Sequence, residues 1–278
     1  MTTDTLVEGI HFFAGCDPES LGHKSLAVSL SDLAAIGAEP AWVTLALTLP
    51  SADEAWLTGF SRGFLNLAER FRVELVGGDT TRGPLSVTVQ AVGYVDEGRG
   101  LRRSSAQPGD GIYLTGELGL AGLGLKIRLG EIDICAPEAL RRLERPEPRV
   151  QDGLFLANLA RACIDVSDGL GADLGHILEA SGVGASLDWS LLPLPECVVS
   201  YIKAGGDWRM PLVAGDDYEL CFTVAAKDEA EFVREISGSG SMFTRIGQID
   251  DRPGLRLRKD GRGMELPATG FQHFSSDT

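Results

Sequence analysis

Residues 43–79 read VTLALTLPSADEAWLTGFSRGFLNLAERFRVELVGGD and carry the pattern that decides the fold class. The apolar run at 43–49 predicts a buried strand, which Pro50 closes. Apolar side chains then recur at spacings of three and four over 57–71, the pattern of an amphipathic helix. The segment VELV at 73–76 predicts a second buried strand, which ends at the following Gly-Gly-Asp. Strand, helix and strand in this order indicate a mixed α/β fold.

The same alternation of elements extends along the rest of the chain. Apolar and polar residues alternate over 85–91, which predicts a strand with one buried face. Further strands are predicted at 112–115, 163–166, 185–189, 219–224 and 243–249, and helices around 136–145, around 150–161 and from Leu170 onward. The polar, Gly- and Arg-rich stretch 97–111 separates the two halves. We therefore expect two α/β domains, at 1–105 and 106–278.

Composition and charge narrow the function classes. The 278 residues include 25 Lys and Arg against 40 Asp and Glu, a formal charge of −15, which argues against a nucleic-acid surface. No apolar run approaches the ~18 residues of a membrane span, and the N-terminus lacks a signal-peptide pattern. The five cysteines show no Cys-x-x-Cys spacing, so neither zinc nor a disulfide framework is indicated. We expect a cytoplasmic protein without membrane or nucleic-acid partners.

Three common catalytic motifs are absent from the sequence. Gly119 and Gly124 have the spacing of a P-loop, but Leu125 stands where that motif requires lysine. No Gly-x-Gly-x-x-Gly follows a predicted strand, and no Gly-x-Ser-x-Gly occurs. A P-loop NTPase, a Rossmann dehydrogenase and an α/β-hydrolase are therefore disfavoured.

The chain instead carries a set of aspartates in glycine- or hydroxyl-rich contexts beside apolar segments. Buried charge is costly unless it is paired or bound to metal, and lysines are scarce nearby. Hard cations, Mg²⁺ above all, are the natural partners of such carboxylates and bridge them to phosphates. The set comprises Asp4 in TTDTLV, Asp32 in SLSDLAA, Asp79 in GGDTTRG, Asp165 and Asp168 in DVSDG, and Asp216 and Asp217 in AGDDYEL.

Each of these positions also has a structural interpretation. Asp32 and Asp168, each preceded by a serine, would serve equally as helix caps, and GGDTT as a plain turn. Arg103 would bind phosphate or be a solvated linker charge. His11 would be a structural histidine or a ligand, and Phe271 would pack at the C-terminus or stack on a flat ring.

Longer motifs place these residues in a family. TDTLVEGIHF, KSLAVSLSDLAAIGAEPAWVTLALTLP, LVGGDTTRGPLSVT, ACIDVSDGL, GDDYELCFTV and GFQHF together resemble the thiamine-monophosphate kinases over essentially the whole chain. The resemblance implies ATP-dependent phosphorylation of thiamine monophosphate to thiamine diphosphate, with several Mg²⁺ ions. It also implies the aminoimidazole-ribonucleotide-synthetase fold, in which two α/β domains form each subunit. The N-terminal domain would bind ATP and Mg²⁺, and its strands would form a barrel at a homodimer interface.

The resemblance assigns site residues by position. The metal positions are matched by Thr3, Asp4, Asp32, Asp79, Asp165 and Asp168. ATP contacts are matched by Gly78, Asp79, Arg103 and Ser167. Thiamine-phosphate contacts are matched by His11, Asp216 and Phe271. No residue is assigned as a general base, because the attacking phosphate oxygen is already ionised near neutral pH.

Two departures from the family pattern accompany this match. Asp216 stands where the family usually has glutamate, one methylene longer. The family also carries roughly forty residues before TDT, including a Gly-Asp-Asp segment, so Asp4 is expected near a chain end, where order is often lost. A shortened chain with part of the metal site missing is the resulting expectation. Two alternatives stay open: a related enzyme with another substrate, and a non-catalytic binder of nucleotide or thiamine phosphate.

Overall fold

The computed structural model describes residues 1–237, 242–266 and 270, which form two β-sheets flanked by helices. The first sheet has the strand order β1-β4-β2-β3. Strand β4 pairs antiparallel with both β1 and β2, and β3 runs parallel to β2. Its strands are β1 (Thr2–Val7), β2 (Glu39–Leu49), β3 (Glu74–Arg82) and β4 (Ser86–Tyr94).

Two long helices, α1 (Pro18–Ala35) and α2 (Glu54–Phe71), belong to this first half. Both begin at an aspartate cap: Asp17 accepts a hydrogen bond from the Ser20 N–H, and Asp53 from the first N–H groups of α2. The two helices pack so closely that a Cβ at Gly63 would lie 1.8 Å from the Glu19 carbonyl oxygen. Glycine is therefore required at this crossing.

The second sheet has seven strands in the order β11-β10-β7-β9-β5-β8-β6. They are β5 (Gly111–Thr115), β6 (Ala162–Asp165), β7 (Gly184–Asp188), β8 (Leu220–Val224), β9 (Phe243–Asp250), β10 (Gly254–Lys259) and β11 (Arg262–Leu266). The helices of this half are α3 (Leu120–Arg128), α4 (Pro137–Glu144), α5 (Val150–Leu156), α6 (Leu170–Ser181), α7 (Glu196–Lys203), α8 (Met210–Val213) and α9 (Glu229–Ile236). The predicted mixed α/β fold is confirmed.

One buried apolar cluster joins the two halves. It contains Leu26 and Leu30 of α1 together with Phe222 of β8 and Phe232 of α9. Helix α1 thus lies between the first sheet and the β6 edge of the second, and both of its sides are covered. Its side chains can therefore reach carboxylates carried by either half. No helix among the described residues is both long and apolar enough to span a bilayer.

Two local expectations were wrong. Ser31 and Asp32 do not cap a helix, because α1 begins at Pro18 and both residues lie inside it. The strand predicted at 73–76 does not end at Gly-Gly-Asp but continues to Arg82. A β-bulge at Val76 lets the pairing with β2 resume at Gly77, so Gly77 and Gly78 lie within the paired strand and not at a chain reversal.

Candidate active site

A cleft of about 780 Å³ opens between the two halves of the molecule. Its walls are the loop that follows β1, one side of α1, one side of α3, and the segments around Ser167 and Asp216. Six of the residues singled out in the sequence line it together: Thr3, Asp4, His11, Ser167, Asp168 and Asp216. These six come from positions predicted for metal, for ATP and for thiamine phosphate.

Helix α1 holds two carboxylates beside the cleft through its serines. The Ser29 hydroxyl donates to Asp4 Oδ2 at 2.7 Å, and the Ser31 hydroxyl donates to Asp165 Oδ2 at 2.8 Å. Asp4 lies in β1, paired with β4, and Asp165 ends β6, so the two carboxylates come from different sheets. Ser29 and Ser31 therefore hold one carboxylate from each sheet beside the same helix, and the two carboxylates belong to one acidic group.

Burial and like charge govern the titration of this group. Burial raises the pKa of Asp4 to about 6, against the Ser29 hydrogen bond, and the negative charge of Asp32 adds to the rise. Burial also raises the pKa of Asp165 to about 7; the charge of Asp32 contributes, and the Ser31 hydrogen bond opposes it. The ionised forms are thus disfavoured, and a cation at this place would stabilise them.

The donor set is chemically suited to Mg²⁺, which prefers carboxylate and hydroxyl oxygens. Asp32 also accepts a hydrogen bond from the Thr2 hydroxyl, which ties the start of β1 to α1. Among residues 1–237, 242–266 and 270, no three His, Cys, Asp or Glu side chains are grouped tightly enough to hold an ion as they stand. Asp4, Asp32 and Asp165 interact electrostatically, without converging on one point.

The predicted residues of β3 lie away from this acidic group. Gly78 is opposite Leu45 on β2, Leu45 is opposite Val89 on β4, and Val89 is opposite Asp4. Three strand spacings, ~14 Å along the sheet, therefore separate Gly78 from Asp4. The φ of Gly78 is +151°, and a Cβ there would lie 1.8 Å from the Leu45 carbonyl oxygen, so no other residue fits at this position.

Asp79 is exposed on the same edge strand, and its Oδ1 accepts a hydrogen bond from the Thr80 N–H at 2.9 Å. Neither Gly78 nor Asp79 lines the cleft. Their assignment to metal and ATP stays a prediction.

Arg103 lies in a short 3₁₀ turn, Arg103–Ser105, in the connection between the sheets. Its side chain is exposed, yet its positive charge lowers the pKa of Asp165, so the guanidinium is near the acidic group. The Arg103 carbonyl oxygen accepts a hydrogen bond from the Ser181 hydroxyl at 2.9 Å, which anchors the turn to α6. An arginine so placed is available to an anionic ligand.

The start of α6 shows why Asp168 is not a cap. The backbone N–H groups of Asp168 and Gly169 donate to Asp173 Oδ2 at 3.0 and 3.1 Å, so Asp173 satisfies the helix start. Burial raises the pKa of Asp173 to about 7, although these hydrogen bonds act in the opposite direction. The Asp168 side chain is left to line the cleft.

The segment that holds Asp216 is shaped by an unusual backbone. Asp216 and Tyr218 have φ values of 67° and 50°, in the left-handed region that non-glycine residues seldom adopt. Their N–H groups donate to the Ser167 and Val166 carbonyl oxygens at 2.9 and 2.8 Å. This pairing fixes Asp216 directly beside Ser167, in the wall of the cleft.

Asp216 is further held by two side chains. The Tyr218 hydroxyl donates to Oδ1 at 3.0 Å, and the Lys24 ammonium donates to Oδ2 at 2.8 Å. The sequence reasoning missed Lys24, Tyr218 and Asp173. A lysine directly before the small and apolar stretch SLAVSL was the available signal for Lys24, since such a position is buried and its charge needs a partner.

The remaining predicted contacts are His11 and Phe271. The Val7 N–H donates to His11 Nδ1 at 3.0 Å, which makes Nδ1 an acceptor and leaves Nε2 to carry the proton of the neutral ring. Phe271 lies outside the described residues. Its neighbour Gly270 lines the cleft, and a Cβ there would lie 2.3 Å from the Asp168 carbonyl oxygen.

Family comparisons agree with this architecture. Residues 1–95 match the family model described as AIR synthase related protein, N-terminal domain. Residues 107–260 match AIR synthase related protein, C-terminal domain. The fold is therefore of the AIR synthase related class.

Individual relatives narrow the class. The thiamine-monophosphate kinase of Escherichia coli (strain K12) is 45% identical over 281 residues, covering 99% of this chain and 86% of that protein. The crystal structure of thiamine-monophosphate kinase from Stenotrophomonas maltophilia K279a has a TM-score of 0.87 at 44% identity, over 94% of this chain and 84% of that one. AaThiL complexed with AMPPCP and TMP also scores 0.87, at 31% identity over 98% and 86% of the two chains. This chain belongs to the thiamine-monophosphate kinase family, as its sequence motifs predicted.

Proposed function

We propose that this protein transfers the γ-phosphate of ATP to thiamine monophosphate, forming thiamine diphosphate and ADP. The observation that carries the proposal is one cleft lined by residues predicted for every participant. Asp4 and Asp168 were predicted for metal, Ser167 for ATP, and His11 and Asp216 for thiamine phosphate. The solved relative AaThiL, complexed with AMPPCP and TMP, supports the same pair of ligands.

The proposed reaction is a direct in-line transfer. A phosphate oxygen of thiamine monophosphate forms a bond to the γ-phosphorus, and the bond from that phosphorus to the β–γ bridging oxygen breaks, so that ADP leaves. The attacking oxygen is already ionised near neutral pH, and no protein base has to remove a proton from it. The protein then contributes positioning and charge neutralisation.

Mg²⁺ is assigned to the carboxylate and hydroxyl groups of Thr3, Asp4, Asp32, Asp79, Asp165 and Asp168. When bound, the metal would neutralise negative charge on the phosphate oxygens. Gly78, Asp79, Arg103 and Ser167 are assigned to ATP, with the guanidinium of Arg103 suited to grip a phosphate through two parallel hydrogen bonds. His11, Asp216 and Phe271 are assigned to thiamine monophosphate, with the ring of Phe271 stacked on its aromatic part.

Two domains and a homodimer complete the proposal. Residues 1–105 would form the ATP- and Mg²⁺-binding and dimerisation domain, and 106–278 the domain that completes the substrate site. Strand β3 supports the dimer, because it is an edge strand exposed along its length, with Leu75 and Val76 43% and 57% exposed. Such an edge favours pairing with a second chain, here through a barrel of N-terminal strands. We place the protein in the cytoplasm, in keeping with its five free thiols.

The test is product formation from thiamine monophosphate, ATP and Mg²⁺, with thiamine diphosphate separated by chromatography. We expect Asp168→Asn to lower kcat by about 100-fold or more, since it removes charge from the cleft. Asp207→Asn, whose carboxylate pairs with Arg209 on the surface, should match wild type within about twofold.

Other results would select the alternatives. Binding of thiamine monophosphate without turnover would identify a non-catalytic binder. Faster phosphorylation of a different acceptor would identify a relative with another substrate.

A further inference from the structure

Lys24 is a buried cation in the wall of the cleft. It lies within α1, and its side chain is only 4% exposed. Its Nζ is 2.8 Å from Asp216 Oδ2 and 3.4 Å from the His11 carbonyl oxygen. A buried ammonium is costly unless it is paired and hydrogen-bonded, and both partners here belong to residues predicted to contact thiamine phosphate.

The two contacts join segments that are distant in sequence. His11 belongs to the loop after β1, whereas Asp216 follows α8 in the second half of the chain. Both segments line the cleft, and so does the side of α1 that carries Lys24. One side chain therefore links the two places from which thiamine-phosphate contacts are expected.

Hydrogen bonds to both of its oxygens fix the orientation of the Asp216 carboxylate. Lys24 binds Oδ2 and the Tyr218 hydroxyl binds Oδ1, while 32% of the Asp216 side chain stays exposed. Each oxygen retains a lone pair for a ligand in the cleft. The left-handed backbone at Asp216 is kept only because its surroundings determine it, and Lys24 is one of those contacts.

A buried ion pair is weak support for stability alone, since apolar side chains of similar size often serve as well. The Lys24–Asp216 pair lies in the wall of the cleft, which indicates a role in ligand binding. We propose that Lys24 is a positioning residue for the thiamine-phosphate site: it orients the Asp216 carboxylate toward the substrate and ties the His11 loop to the same point. This inference rests on the proposed kinase function and adds a residue to its substrate site.

The test compares Lys24→Met, Lys24→Arg, Asp216→Asn and Lys24→Met/Asp216→Asn with wild type. Lys24→Met should raise KM for thiamine monophosphate on the order of 30-fold, the scale for truncating one partner of a buried charge pair. KM for ATP should change by less than about twofold, because the contacts of Lys24 are to thiamine-phosphate positions. Lys24→Arg retains the cation and should recover a large part of the loss. Lys227→Met, whose side chain is 79% exposed, is the matched control.

The double variant tests whether Lys24 acts through Asp216. If it does, Lys24→Met/Asp216→Asn should resemble Asp216→Asn alone, because residues in one network are not additive. The double variant also leaves neither Lys24 nor Asp216 as an unpaired charge. It can therefore be compared with Asp216→Asn even if Lys24→Met alone does not fold. Additive losses, or equal rises in both KM values with no recovery by arginine, would overturn the positioning role.

A binding titration separates this inference from the proposed function. Thiamine monophosphate is titrated into wild type and into Lys24→Met without ATP. Weaker binding by the variant supports the positioning role whether or not turnover occurs. Equal affinity with normal wild-type turnover overturns the Lys24 inference and leaves the kinase intact, whereas a wild-type chain that neither binds nor phosphorylates thiamine monophosphate refutes both.

Discussion

The two ends of the cleft treat their carboxylates in opposite ways. At one end, Asp4 and Asp165 are held by serine hydroxyls, lie near further negative charge, and have raised pKa values. At the other end, Asp216 is paired with the buried ammonium of Lys24. The first end carries negative charge that Arg103 offsets only in part and that a bound cation would balance, whereas the second is balanced by the protein itself. Neutralising a carboxylate should therefore have opposite effects on stability at the two ends.

The largest effect is expected from Asp165→Asn at the acidic end. Activity should fall by about 1,000-fold, because a charge of the proposed metal–phosphate site is lost. Stability at pH 8 should rise, since a buried carboxylate with a pKa of about 7 is ionised there at a cost that an amide avoids. Thermal unfolding with and without Mg²⁺ measures this.

Wild type should gain melting temperature on adding Mg²⁺, and Asp165→Asn should gain less. Asp133→Asn, an exposed carboxylate, is the control. A variant that is less stable than wild type and equally responsive to Mg²⁺ would contradict the unbalanced charge assigned to this end.

At the balanced end, Asp216→Asn should act in the other direction on stability. It leaves the Lys24 ammonium buried without its carboxylate, which should cost about 2–3 kcal/mol. KM for thiamine monophosphate should rise as well, while KM for ATP stays near its wild-type value. Chemical denaturation and steady-state kinetics measure the two effects. If Asp216→Asn is as stable as wild type, the Asp216 carboxylate does not compensate the buried charge of Lys24.

Asp217 follows Asp216 in sequence and allows a test by pH of whether ionising a buried carboxylate lowers stability. It is buried and accepts the Gly119 N–H at 2.9 Å, and burial raises its pKa to about 8. A carboxyl with a raised folded-state pKa stabilises the fold fully below its unfolded pKa of 3.8, and this contribution is lost as pH rises toward 8.

Asp217→Asn removes that dependence. Between pH 6 and 8 the variant should gain on wild type by on the order of 1 kcal/mol per pH unit. Melting temperatures across this range measure the difference. Parallel curves for the two proteins would show that Asp217 titrates normally.

The sequence predicted the site residues that local motifs mark, but not the side chains that hold them, because those side chains are distant in sequence. Motifs around Asp4, Asp168 and Asp216 indicated which residues would meet, because their local composition departs from a solvated surface. The partners that hold them were not predicted. Ser31 meets Asp165 across 134 positions, and Lys24 meets Asp216 across 192. Such contacts follow from the packing of α1 between the halves, which no local pattern encodes.

The fold shows the same division between local and non-local information. Helix α2 was predicted because its apolar spacing is local, and its Asp53 cap agrees with that pattern. The continuation of β3 through Gly77 was missed, because it depends on a bulge formed only when β2 is paired beside it. The order of strands in both sheets likewise required the structure.

The smallest effect is expected at Asp79, which tests whether the acidic end extends beyond the cleft. Asp79 is exposed on the far edge of the first sheet, so Asp79→Asn should leave the melting temperature unchanged. If it contacts metal or ATP as its motif implies, kcat/KM for ATP should fall by about tenfold, the loss of one charged contact among several. Glu74→Gln, an exposed carboxylate on the same strand, is the matched control, and the measurement is the ATP and Mg²⁺ dependence of turnover. Equal rates for the two variants would confine the proposed metal–phosphate site to Thr3, Asp4, Asp32, Asp165 and Asp168, and Gly78 would then serve strand pairing alone.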